Sequence, residues 1–112
     1  MRCDVVAVGT ELLLGQITDT NSQWIGEQLA AAGVDSLLQV KVGDNLGRIT
    51  ALLQRTLAEA DAVIVCGGLG PTHDDITKKA VCRFFGCDLV PDPAVRDHIQ
   101  TLYRGRSMAW SA

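Results

Sequence analysis

The sequence predicts an α/β domain in three layers, a parallel β-sheet between helices. Three observations carry this. The runs Asp4–Val8 and Ala62–Cys66 are nearly continuous in apolar residues, the pattern of strands buried on both faces. Each of three candidate strands is followed by a turn and then by apolar residues at helical spacing. The connections are short, so the strands run parallel with right-handed crossovers.

Taken in order, Asp4–Val8 is the first strand and ends at Gly9. Thr10–Asp19 reads as a loop, with Leu12, Leu13 and Leu14 expected to pack back onto the core. Thr20 and Gln23 match a capping box for a helix starting near Asn21, with Ile25, Leu29 and Ala32 inward and Gly33 as its stop. Leu37–Val42 is the second strand. After Gly43, either Asp44 or Asn45 caps a helix carrying Leu46, Ile49, Leu52, Leu53 and Leu57. The third strand, Ala62–Cys66, leads through Gly67–Asp75 to a helix from about Ile76 to Gly86. Asp92 followed by Pro93 starts a last helix whose apolar stripe is Val95, Ile99 and Leu102. The tail 106–112 has no readable pattern. Three strands make a narrow sheet, so either a partner covers its edge or the chain is the front of a larger domain.

Composition narrows the function classes. The chain has 112 residues, enough for one domain, and 47% of them are apolar, which excludes a disordered chain. Ten basic and thirteen acidic residues give a net charge of −3, and there is no basic tract, so nucleic acid and membrane surfaces are not expected partners. Cys3, Cys66, Cys82 and Cys87 form no C-x-x-C pair and read as reduced thiols. The N-terminus lacks a charged segment followed by a long apolar one, and no apolar stretch approaches the roughly 20 residues of a membrane span. The expected compartment is the cytoplasm.

In such a fold the strand-to-helix loops share one rim, where ligands bind. Each of the three carries carboxylates: Glu11 and Asp19, then Asp44, then Asp74 and Asp75. Gly67, Gly68 and Gly70 leave backbone N–H groups open to phosphate beside a helix start. There is no G-x-x-x-x-G-K-[ST] P-loop and no G-x-G-x-x-G dinucleotide fingerprint. Carboxylates facing phosphates repel them unless a cation lies between, which points to a divalent metal with Asp74 or Asp75 orienting the metal or a water. The plainer readings are helix caps for Asp44 and Asp75 and packing for Trp24. His73 has no second histidine near it in sequence, and His98 reads as solvated.

Gly9–Gln16, Asp19–Asn21, Val42–Asn45 and Gly67–Thr77 together resemble the N-terminal domain of CinA, the competence/damage-inducible protein family. The resemblance runs from residue 3 to about 105 and rests on four motifs in the family's order and spacing. It implies a three-layer α/β/α fold of the molybdopterin-binding type. It also implies metal-dependent hydrolysis of a nucleotide diphosphate such as ADP-ribose to AMP and ribose 5-phosphate, using Mg²⁺, Mn²⁺ or Co²⁺. Related adenylyltransferases of molybdenum-cofactor synthesis join AMP to a pterin phosphate on the same rim. Their essential aspartate after G-G-T-G matches Asp75 and their second important aspartate matches Asp44, while Leu69 replaces the threonine.

Under this resemblance the catalytic set is Asp75, Asp44 and Glu11, and Asp74 and Asp75 hold the metal. Gly9, Thr10, Asn21, Gly67, Gly68, Gly70, Pro71, Thr72 and Thr77 bind substrate. The alternatives are molybdopterin adenylyl transfer and a non-catalytic nucleotide- or pterin-binding module. The partner is a small nucleotide or pterin phosphate, and the assembly a homo-oligomer. Nothing in residues 106–112 matches the family's N-x-x-G-T-A-P-G-like loop, and its C-terminal amidase domain is not expected within these 112 residues. Residues 1–112 are therefore expected to be a single, incomplete domain of this type.

Overall fold

The computed structural model describes residues 1–105; the unpatterned tail, with Trp110, lies outside them. The elements are β1 (Cys3–Val8), α1 (Thr10–Leu13), α2 (Thr20–Ala31), β2 (Gln39–Val42), α3 (Leu46–Glu59), β3 (Ala62–Cys66), α4 (Thr77–Phe85) and α5 (Pro93–Gly105). The three strands form one parallel sheet in the order β2-β1-β3. The register sets Val5 beside Gln39 on one side and Ile64 on the other.

Every residue of β1 is buried, as its unbroken apolar run requires of a central strand. On one face of the sheet, Val6, Val8 and Val42 meet Ile49 and Leu53 of α3 and Ala80 of α4. Val63, Val65, Val81 and Phe84 pack around this cluster. The opposite face receives α2, where Gln39 Nε2 donates to the Ser22 carbonyl at 3.4 Å. The layers are therefore helix, sheet, helix, the predicted arrangement.

Helix boundaries follow their caps. Asn45 rather than Asp44 caps α3, its side chain accepting from the Arg48 amide at 2.9 Å. Gly86 ends α4 in the left-handed conformation at φ 65°. Asp92 caps α5, accepting from the amides of Ala94 and Val95 at 3.0 and 3.3 Å.

Several local expectations are corrected. Asp19, not Thr20, caps α2: its carboxylate accepts from the Ser22 amide at 3.0 Å, so Thr20 becomes the first helical residue. Ala32 terminates that helix and is exposed instead of lining its inner face. Thr10–Leu13 forms a short helix in place of a loop, and Leu13 and Leu14 are exposed. In α5, Val95 and Leu102 are also exposed, so its stripe does not reach the core among the described residues.

β2 is two residues shorter than its apolar pattern because Asp4 takes the preceding backbone. The Asp4 carboxylate is fully buried and accepts from the amides of Leu37 and Leu38 at 3.0 and 3.2 Å. Arg2 binds it through Nε at 3.1 Å and Nη2 at 2.9 Å and also meets Glu59 of α3 at 3.5 Å. Burial pushes the Asp4 carboxyl up, but the Arg2 hydrogen bonds and charge and the two amides outweigh it and hold the group below the ordinary carboxylate range. Folding therefore favours the ionised form; this stabilisation is complete above the unfolded-state value and is lost as pH falls through the lower folded value. Asp4→Asn is expected to destabilise the fold by about 3 kcal/mol in urea denaturation, because a buried partnership is broken from one side. The variant should also lose part of the wild type's fall in stability below about pH 4.

Candidate functional site

Because all three strands are parallel, the loops leaving Val8, Val42 and Cys66 emerge on one rim. The Gly9 amide donates to the Val42 carbonyl at 2.8 Å, joining the first two loops at their base. A reciprocal pair then locks them: the Thr10 amide donates to Asp44 Oδ2 at 3.3 Å, and the Asp44 amide donates to Thr10 Oγ1 at 3.1 Å. Asp44 is free for this because Asn45 does the helix capping.

The third loop is fitted to the sheet through glycine. Gly67 has φ 88° and Gly68 φ 65°, both in the left-handed region. A Cβ on Gly67 would collide with the Val8 carbonyl oxygen, and one on Gly68 with Thr77 Oγ1. Thr77 is buried at the start of α4; its hydroxyl donates to the Gly67 carbonyl at 2.7 Å and its amide to the Gly68 carbonyl at 3.2 Å. Thr77 thus holds the loop's shape from beneath.

Further along, the loop closes on Asp75. Oδ2 of Asp75 accepts from the Thr72 hydroxyl at 2.7 Å and the Thr72 amide at 3.1 Å. The Thr72 hydroxyl holds the Asp75 carboxyl below its ordinary range against the opposing effect of burial, helped by the amides of Thr72 and Gly70 and the charge of Lys78. Asp74 is exposed next to it.

The sequence-predicted residues fall around two cavities. One, of about 190 Å³, is lined by Glu11, Thr18, Asp19, Asn21, Cys66 and Gly67, with Leu12 and Ile17 as apolar wall. The other, of about 350 Å³, is lined by Gly70, Pro71, Thr72 and Asp75 together with His73, Lys78 and Lys79. Gly9, Thr10, Asp44, Gly68, Asp74 and Thr77 line neither. A Cβ on Gly9 would come within 2.5 Å of Glu11 Oε1, so the Glu11 carboxylate lies over Gly9.

Sequence reasoning passed over Thr18, Cys66, Lys78 and Lys79 as lining residues, while Asp19, expected only as a rim carboxylate, lines the first cavity. The available signal was their position, at a strand's carboxyl end or within a turn of a helix start on the rim. Burial, then the Asp19 charge, push the Cys66 thiol up against a hydrogen bond with Ser22, so it remains a thiol and not a thiolate nucleophile.

Among the described residues, no group of three or more His, Cys, Asp or Glu side chains could hold a metal ion by itself. Asp75 lines the larger of the two cavities, and the exposed Asp74 precedes it in the chain.

A family model described as "Probable molybdopterin binding domain" matches residues 4–110. The chain belongs to this molybdopterin-binding domain family. A competence-damage inducible protein of Caldicellulosiruptor saccharolyticus is 45% identical over 108 residues, 96% of this chain but 26% of that protein. The chain thus spans about a quarter of the length of the curated relatives it matches. The crystal structure of CinA from Thermoplasma acidophilum superposes with a TM-score of 0.82 at 31% identity, over 97% of this chain and 63% of that one. MoaB from Thermus thermophilus, a molybdopterin biosynthesis enzyme, shares the fold with a TM-score of 0.69 at 24% identity, over 73% of this chain and 53% of that one. The CinA resemblance read from the four motifs is thereby shown.

Three outcomes test the geometry of this molybdopterin-binding domain. Gly67→Ala is expected to cost at least about 3 kcal/mol by urea denaturation, combining left-handed strain with a backbone collision. Gly33→Ala, at φ 74° in open space, is expected to cost about 1 kcal/mol. Thr72→Val is expected to return the Asp75 titration, followed by carboxylate ¹³C NMR, upward toward the ordinary range, since the dominant hydrogen bond is removed.

Proposed function

We propose that this CinA-like domain binds a nucleotide diphosphate on the loop rim and hydrolyses it, with ADP-ribose as the representative substrate. The observation that carries the reading is the 67–75 loop, whose glycines lie against the sheet while Thr72 keeps the Asp75 carboxylate ionised. Amides of the Gly67–Gly70 turn bind phosphate oxygens without a lysine in the loop. Asn21 and Thr18 offer polar groups from the adjoining cleft.

A carboxyl held below its ordinary range is a weak general base. Asp75 therefore orients the attacking water and shares in holding a cation, rather than drawing a proton fully to itself. Glu11 lines the other cavity and contacts the bound ligand there rather than that water. Asp44 acts as a positioning residue through its exchange of hydrogen bonds with Thr10. A bound Mg²⁺, Mn²⁺ or Co²⁺ would neutralise the diphosphate and make phosphorus more electrophilic. Water oxygen adds to one phosphorus, the bridging P–O bond breaks, and the bridging oxygen departs with the other phosphate. AMP and ribose 5-phosphate share the protons of the water.

The second reading is molybdopterin adenylyl transfer, favoured by the family's ligand and by the fold shared with MoaB. Against it, Leu69 stands exposed where that chemistry has a threonine hydroxyl. The cytoplasm is the proposed compartment; among the described residues no helix is long and apolar enough to cross a membrane. A homo-oligomer is proposed from the outer edges of β2 and β3, which carry no further strand among the described residues.

Release of AMP from ADP-ribose with Mg²⁺, Mn²⁺ or Co²⁺ is the direct test. Asp75→Ala and Asp75→Asn are each expected to lower kcat/KM by about 10²-fold or more, with Asn retaining acceptor capacity toward Thr72. Binding by calorimetry without turnover would leave a binding module, and AMP transfer from ATP to molybdopterin would select the second reading.

A further inference from the structure

The 350 Å³ cavity at Asp75 shares no lining residue with the Glu11–Asn21 cleft, and the balance of its charged lining is positive where that of the cleft is negative. Lys78, Lys79 and His73 line it, with Asp75 as its carboxylate and Pro71 and Leu89 as its apolar wall. The chain as a whole carries −3, so two lysines converging with a histidine on one cavity run against its overall balance.

The lysines also sit where a helix least tolerates them. They occupy the first turn of α4, which has no acidic residue, and Ile76 supplies no side-chain cap. Cations at that end oppose the helix dipole, where carboxylates are ordinarily preferred. Helical side chains lean toward the N-terminus, which directs both lysines back over the loop and not along the helix. A charge placement that is locally unfavourable and converges on a cavity is the mark of a site kept for a ligand.

We propose that this cavity is a binding site for a phosphate monoester dianion, held by Lys78 and Lys79 with His73 as a further donor. Two ammonium groups supply point charges and donors suited to phosphate. Thr72 is tied to Asp75, so the donors left to the ligand come from the helix side. With the glycine turn on one flank and these cations on the other, the 67–75 loop carries phosphate-binding surfaces on both sides. This deepens the reading of the loop as a phosphate-binding element and assigns the terminal-phosphate end of a ligand, such as ribose 5-phosphate, to the lysine side.

The test reads binding without turnover, so it stands or falls apart from hydrolysis. The 112-residue chain is titrated with inorganic phosphate, ribose 5-phosphate and ribose at constant ionic strength, by thermal shift and by ³¹P NMR. Both phosphates are expected to raise Tm saturably, and ribose to leave it unchanged. Lys78→Ala and Lys79→Ala are each expected to weaken phosphate about tenfold and the pair to abolish the shift. Without ligand, the same variants should be as stable as the wild type or more so, because a charge unfavourable to the helix dipole is gone. That opposite movement separates a binding role from a folding one. Phosphate affinity unchanged in the double variant, or no phosphate response in the wild type, overturns the proposal. If hydrolysis is absent while the lysine-dependent phosphate response persists, the anion site stands and the catalytic reading falls.

Discussion

The fold turns on a charge buried in its central strand. Asp4 lies in β1 with no exposure to solvent, and an isolated carboxylate there would be prohibitively costly. It is tolerated because Arg2 and the amides of Leu37 and Leu38 surround it. Those partners come from both sides of the first crossover, so satisfying one carboxylate also determines where β2 begins. A one-residue slip of that strand would break the amide contacts and reverse every side chain's face.

That register reaches the functional rim. With Val8 opposite Val42, Gly9 and Gly43 emerge side by side, and the Thr10–Asp44 exchange becomes possible. On the other side, Ala7 opposite Cys66 brings Gly67 so close to the Val8 carbonyl that no side chain fits. The rim's loops are thus positioned by backbone contacts to a buried strand, which gives the rigidity that precise phosphate recognition needs. The loop from Gly67 to Asp75 then divides the rim into a cleft bearing Glu11 and Asp19 and a cavity bearing Lys78 and Lys79. Membership of the molybdopterin-binding domain family accounts for the arrangement of the loops, and Lys78 and Lys79 stand in the first turn of α4.

Much of this was legible in the residues. Continuous apolar runs identified β1 and β3 because a strand covered on both faces has no polar side to show. Helical spacing located α3 and α4, and Asp92-Pro93 located the start of α5, since cap chemistry is local. The glycine loop was recognisable as a strand-to-helix connection on the ligand rim. Which carboxylate in each loop does which work was not legible. Asp44 and Asn45 are both good caps, and only the approach of Thr10 from 34 residues away separates them. Asp19 and Thr20 are likewise both good caps, decided by where the chain leaves the preceding turn.

By itself the sequence determined the layer order, the helix stops and the family, because these rest on periodicity, caps and motifs within short windows. Tertiary structure alone decided that Asp4 is a buried hub, that Leu13, Leu14, Val95 and Leu102 stay exposed, and that those predicted site residues which line a cavity divide between two. The physical reason is the same in each case. These outcomes depend on what arrives from a distant part of the chain to satisfy a charge, cover an apolar face or fill the space beside a glycine, and no local pattern records that arrival.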